Sequence, residues 1–175
     1  VVRDFIALTQ KLGFTPILLP FKPNGKAMHI KGFLARFSKT AKTQAEFLNR
    51  VAKLNVPLVG VDPAIVLSYR DEYKEVLGDS RGDFHVLTAH EWLTNQLESN
   101  ALQSAVKNIA KSDRTFEWHL FPHCTESTFM PNSPKEWHNI FAQFGQTLNV
   151  EKVGCCGMAG VFGHEVQNQT MSKDI

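Results

Sequence analysis

Cysteine is scarce in this sequence, with three in 175 residues. An odd, low count in a chain of this length cannot staple a secreted fold with disulfides, so it points to a reducing, cytoplasmic setting. No apolar run approaches the ~18–20 residues of a membrane-spanning helix, and no secretory signal opens the chain. Placement in the cytoplasm, or peripheral to an inner membrane, is the expectation that follows. Charge of one sign is missing too. Nineteen Lys and Arg against seventeen Asp and Glu leave +2 at pH 7, too little to argue for nucleic acid or an acidic membrane surface as partner. Several spacings are also absent. No Lys-Ser/Thr follows a glycine loop, which argues against a nucleotide-phosphate loop. Neither Gly-x-Ser-x-Gly nor the Cys-x-x-Cys of a zinc site occurs.

What remains is an ordinary globular composition, 43% hydrophobic and 21% charged, with length enough for one domain with a substantial core. Residues 1–12 carry apolar positions at helical spacing and run into Gly13, a good helix stop. With no Met and no cap before it, this helix reads as one whose preceding strand lies upstream, so the sequence reads as a fragment. Residues 15–21 form an apolar run predicted as a buried strand, followed by a turn at residues 22–26. Residues 33–54 are patterned as a helix, residues 56–61 as a strand. Asp62 and Pro63 then suit the N-cap and first position of a helix running to Gly78.

Further strands are predicted at 84–88, 115–121 and 149–153, and further helices at 91–98, 102–109 and from Ser133-Pro134 through Leu148, the last closed near Gly145 or Asn149. Strands alternating with helices predict an α/β fold. It is expected to hold a mainly parallel sheet of about five strands, with helices on both faces in Rossmann-like layers and the first strand missing. Ligands collect at the carboxyl ends of strands in such folds. Asp62-Pro63-Ala64, His123-Cys124 and Cys155-Cys156 each follow a predicted strand.

The chemistry concentrates at Val153-Gly154-Cys155-Cys156-Gly157-Met158-Ala159-Gly160-Val161-Phe162-Gly163-His164. Adjacent cysteines rarely bridge each other, because the backbone between them is too short for unstrained disulfide geometry. Two thiols on a glycine turn suit a metal or iron–sulfur cluster better, and backbone amides freed by glycine can hydrogen-bond cluster sulfurs. The competing reading is that free cysteines are small buried hydrophobes. Cys124 is the third thiol, one αβ crossover earlier. His123 and His164 could each supply a further ligand or a proton. His119 and His138 read as packing or surface residues, and His29, His85 and His90 have no motif around them. Arg70, in a polar stretch of helix, could bind a carboxylate bidentately or simply face solvent.

Gly154 to Gly163 resembles the second CCG motif of the cysteine-rich CCG domain, and His123-Cys124 resembles that domain's His-Cys partner segment. The runs Lys22-Pro23-Asn24-Gly25-Lys26 and Gly60 to Tyr73 extend the likeness over nearly the whole chain. This domain occurs in one of the subunits of heterodisulfide reductase and in iron–sulfur subunits of glycolate and anaerobic glycerol-3-phosphate dehydrogenases. It also forms the C-terminal part of bacterial FAD-linked 2-hydroxyacid oxidases and dehydrogenases, the members this chain is most similar to.

The resemblance implies a single CCG-type domain over residues 1–175, truncated at both ends. It implies a [4Fe–4S] cluster on Cys124, Cys155 and Cys156, with His123 and Gly157 beside it, while His164 is a candidate metal donor by its position after the glycine turn. Such a domain relays electrons from flavin to an acceptor after a 2-hydroxy acid of the hydroxyglutarate, lactate or glycolate kind is oxidised. FAD belongs to the parent enzyme and is not bound here. The partners implied are the FAD and ferredoxin-like domains of the same polypeptide and a downstream electron acceptor, with no nucleic acid.

The sequence also departs from the family. Ala64 stands where a cysteine often sits, no first CCG motif is present, and Thr125 replaces a second histidine. The fused enzymes carry a further cysteine segment downstream. An absent or incomplete cluster within these residues is therefore the expectation. The alternative function is a cluster-free docking or substrate-pocket module in which Arg70 holds an acid.

Overall fold

Apolar residues recur every three or four positions over most of the chain, and helix dominates the result. The computed structural model describes residues 1–98, 102–110 and 116–175. In chain order the elements begin with α1 (Val2–Lys11), α2 (Lys26–Ile30), α3 (Leu34–Ala52) and β1 (Leu58–Gly60). Next come α4 (Pro63–Arg70), α5 (Glu72–Leu77), a 3-10 turn at Gly78–Arg81, β2 (Val86–Thr88) and α6 (Ala89–Leu97). Then follow α7 (Gln103–Ala110), β3 (Glu117–Leu120), α8 (Cys124–Phe129), α9 (Ser133–Gln143) and β4 (Thr147–Val150). Two 3-10 turns, Phe162–His164 and Val166–Asn168, lead into α10 (Gln169–Lys173). No helix among the described residues is long and apolar enough to cross a membrane.

The α/β class holds, but the five-stranded sheet does not. Among the described residues the strands form two sheets of two, β1 with β2 and β3 with β4. The predicted strand at residues 15–21 is irregular. Pro16 and Pro20 remove two ladder donors from it, and Ile17 and Leu18 stand 80% and 74% exposed. The last predicted strand begins earlier than expected, at Thr147. Of the two predicted stops for α9, Gly145 and Asn149, the first holds: the helix ends at Gln143, where Gly145 takes a left-handed φ of 69°, so Leu148 is a buried strand residue. The helix predicted from Asp62 to Gly78 is broken at Asp71 into α4 and α5. Thr115, the first residue of another predicted strand, lies outside the described residues.

One crossover is present as expected. β3 and β4 pair in parallel, Glu117 with Thr147 through Leu120 with Val150, joined through α8 and α9. Helices on both faces were expected, but these two strands differ from face to face. Trp118 meets Phe141 of α9 at a ring separation of 6.1 Å. The alternate residues form exposed polar pairs, Asn149 Nδ2 donating to Glu117 Oε1 at 2.6 Å and His119 Nδ1 lying 2.6 Å from Glu151 Oε1.

The chain falls into two compact units, one of Val1–Pro20, Val59–Pro63 and Leu87–Glu151, the other of Phe21–Leu58, Ala64–Val86 and Lys152–Ile175. The first is built on Leu12, Trp92, Leu93, Leu97, Val106 and Ile140, with Phe5 and Phe14 edge-on to Trp92 at 5.8 and 5.0 Å. Helix α6 starts in a capping box, in which Thr88 and Glu91 satisfy each other's backbone N–H groups.

The second unit buries one stripe of α3, namely Phe37, Ala41, Gln44, Ala45 and Leu48. Phe37, Tyr73, Tyr69 and Phe84 follow one another at edge-to-face separations of 5.7, 5.1 and 6.3 Å. Tyr73 is fully buried, and its hydroxyl donates to the Asn24 carbonyl at 2.6 Å. Burial, with the neighbouring Tyr69 adding to it, pushes this phenol well above the usual tyrosine range.

An acid whose folded pKa is raised keeps its full contribution below its unfolded value of about 10, and loses it as pH rises toward the folded value. Stability should therefore fall above about pH 10. Tyr73→Phe should flatten that fall while costing about 1 kcal/mol at neutral pH. Urea midpoints taken across the alkaline range check both, and an unchanged alkaline slope in the variant would remove Tyr73 as the cause.

Candidate functional site

The glycine–cysteine loop lies in the second unit, and its glycines are needed for different reasons. Gly157 is buried with φ +73°, and a Cβ there would overlap the Ser172 carbonyl oxygen on α10. Ser172 Oγ donates back to the Gly157 carbonyl at 2.9 Å. Gly160 has φ +71°, and a Cβ there would run into the side-chain tip of Ile30. At Gly163 a Cβ would come within 2.6 Å of Ser172 Oγ. Gly154 has neither a positive φ nor a neighbour within 4 Å. Lys31 pairs with Glu165 just beyond the loop. The segment is thus closed down on α10 and α2 by its last three glycines.

Cys155 and Cys156 are exposed, while the next residue, Gly157, is buried. The Gly157 N–H donates to Cys155 Sγ at 3.4 Å, the kind of amide-to-sulfur bond that stabilises a thiolate. His164 ends the 3-10 turn at Phe162–His164 and is exposed. Cys124 belongs to the first unit, where it is the first residue of α8 and exposed, directly after His123 at the N-cap. Thr128 Oγ1 donates to its carbonyl at 2.9 Å. The structure therefore brings Cys155, Cys156, Gly157 and His164 into one segment, and Cys124 with His123 into another. Within neither unit do three or more His, Cys, Asp or Glu among the described residues gather in a way that could hold a metal ion.

Exposure settles one question about the thiols. None of the three is a small buried hydrophobe, so all are available as ligands or nucleophiles. Cys155 and Cys156 are adjacent soft sulfur donors with a backbone amide on one sulfur, a pairing that suits iron–sulfur chemistry and supplies two of the four ligands a cluster takes.

Arg70 ends α4, and its Nε and Nη2 donate to the Val86 carbonyl at 3.2 and 2.7 Å. It lines an open cavity of about 540 Å³ with Lys74, Arg81 and His85, alongside Asp79 and Asp83. Arg81 was passed over by sequence reasoning. It donates to the carbonyls of Tyr69, Gly82 and Phe84 at 2.7, 2.8 and 2.9 Å, and lies 4.0 Å from the centre of the Phe84 ring. A second omission is His90, buried at 1% exposure beside Glu126 and Glu136. The legible signal was Thr88-x-x-Glu91, a capping box that places His90 on the first turn of a helix.

Over its whole length this chain is similar to a portion of much larger dehydrogenases. The relatives in question are D-2-hydroxyglutarate dehydrogenases. That of Haemophilus influenzae is 79% identical over 175 residues, which is all of this chain and 17% of that protein. The one from Escherichia coli K12 is 56% identical over the same span, 16% of its length. A more distant similarity, 25% over 177 residues, covers 99% of this chain and 43% of a subunit of the anaerobic glycerol-3-phosphate dehydrogenase of Escherichia coli K12. The chain thus spans about a sixth of the length of the first of these relatives. No family model matches the chain, and no solved structure does.

Proposed function

We propose that this chain is the cysteine-rich, CCG-type redox part of an FAD-linked 2-hydroxyacid dehydrogenase. Its substrate would be D-2-hydroxyglutarate or an acid of the D-lactate/glycolate type, and its role to pass electrons from flavin to an acceptor. Cys124, Cys155 and Cys156 serve as thiolate ligands of an iron–sulfur centre, completed by a donor from His123, His164 or another segment of the polypeptide. The observation that carries the reading is the loop itself, with two adjacent exposed thiols, a backbone N–H on one sulfur and, directly after the thiols, a Gly157 whose place admits no side chain. The names of the relatives support the reaction class. The 25% likeness to part of a second dehydrogenase supports a module shared between such enzymes. A bound cluster supplies one-electron transfer. The chain's own residues supply thiolates, an amide donor and a closed backbone around them.

The test is iron content and visible absorbance of the full-length protein purified without oxygen. Cys155→Ala and Cys124→Ala are each expected to lower iron content and visible absorbance by the share of one cluster. Retention of wild-type iron by both variants would overturn the assignment.

A further inference from the structure

Helix α8 has six residues and a single buried one, Glu126. Cys124 begins the same helix and is exposed, so the rotation that sends the thiol outward is the one that sends Glu126 inward. What holds α8 in that rotation is accordingly what receives Glu126. Trp137 Nε1–H, from α9, donates to Glu126 Oε1 at 3.0 Å. His90, from α6, places Nδ1 at 3.3 Å from the same oxygen and Nε2 at 3.3 Å from Glu136 Oε2. Thr88 Oγ1 lies 3.1 Å from His90 Nδ1 and donates to Glu91 Oε2 at 3.0 Å. The imidazole also lies against Trp137, with ring centres 5.6 Å apart.

A buried carboxylate is a costly anchor, and an apolar side chain would seat a short helix against α9 with less desolvation. A buried polar network does what an apolar contact does not, in that it admits one orientation only. Partners behind a ligand commonly fix its direction and tune the group it holds.

We infer that His90, Glu126 and Trp137 are positioning residues for Cys124, locking α8 so that its first side chain is presented at a fixed angle. The inference rests on the proposed role of Cys124 as a cluster ligand, but the lock itself is a property of the cluster-free chain.

Both levels are tested in the full-length protein with Glu126→Ala, Glu126→Gln, His90→Gln and Trp137→Phe. After removal of iron by a chelator, the rate of iodoacetamide labelling is followed at each cysteine by peptide mass. Glu126→Ala and His90→Gln should speed labelling of Cys124 severalfold and leave Cys155 and Cys156 unchanged. Glu126→Gln, which still accepts from Trp137, should stay near wild type. In the iron-loaded protein the first two variants should shift the midpoint potential of the cluster and weaken iron retention by about tenfold.

An unaltered Cys124 rate in His90→Gln and Trp137→Phe, the mildest changes, would overturn the lock. A uniform rise at all three cysteines would overturn it too, because it would mark general loosening. If the wild type holds no iron while the Cys124 rate responds selectively, the lock stands and the cluster reading fails.

Discussion

Gly157→Ala is expected to release the cysteine loop from α10 and to abolish cluster retention in the full-length protein. Two penalties combine. An L-residue at φ +73° costs about 1–2 kcal/mol in backbone strain. The new methyl would also overlap the Ser172 carbonyl oxygen, which belongs to a helix backbone and cannot rotate away. Helix α10 must then shift, and the bond from Ser172 Oγ to the Gly157 carbonyl, at 2.9 Å, is lost for about a further 1 kcal/mol. The N–H that reaches Cys155 Sγ moves with it. A total near 3 kcal/mol should appear as a lower urea midpoint and as early proteolytic cleavage within residues 152–175. Gly154→Ala is the control. With no positive φ and no neighbour within 4 Å, it should stay within about 0.5 kcal/mol of wild type. Equal effects at the two glycines would show that the loop is not held as described.

Arg81→Met is expected to destabilise the second unit by about 3 kcal/mol. The change keeps most of the stem and deletes a guanidinium that serves three carbonyls, those of Tyr69, Gly82 and Phe84. Burial is the main reason this group is held below the usual arginine range, opposed by Asp83 and aided by Arg70. A fork with donors on three sides suits three divergent acceptors, whereas an ammonium on a flexible stem does not. Arg81→Lys should therefore recover little of the loss, with both variants compared by urea midpoint. Full recovery by lysine would mean that charge near Asp79 and Asp83 matters and the fork does not.

These two cases mark what could be read from the residues and what could not. The loop announced itself, because adjacent cysteines among glycines have few structural uses. So did α3, whose stripe from Phe37 to Leu48 keeps helical spacing for three turns. The helix starts marked by Pro63 and Pro134 were equally legible, but Ser133 does not cap: Asn132 precedes the helix without a side-chain cap bond, and the Ser133 hydroxyl is buried with no partner. Strand lengths were not. Thr15 to Phe21 is as apolar as a buried strand, yet Ile17 and Leu18 face solvent, since apolarity carries no information about whether a partner strand is there to pair. The arginines show the same limit. Arg70 in a polar helix could have been a carboxylate clamp or a solvent-facing charge, and its bonds to the Val86 carbonyl, sixteen residues on, belong to neither pattern. The capping box Thr88-x-x-Glu91 marks His90 as the start of a helix, but its surroundings were hidden for a related reason. Its partners Glu126 and Glu136 come from two later helices, so no window of sequence contains the cluster.

The parallel pairing of β3 and β4 has a kinetic side. A hairpin can zip outward from its turn, but these strands meet across long separations, as in the bond from the Phe116 N–H to Gln146 Oε1, 30 residues apart. Chain entropy must be given up over that whole interval before the first rung forms. Helices α8 and α9 shorten the interval by folding locally, so they act as a scaffold on which β4 is laid down. Less local still are the contacts of Phe5 and Phe14 with Trp92, which join the start of the chain to a stretch more than seventy residues on, so the β3–β4 crossover can form before the core of the first unit closes.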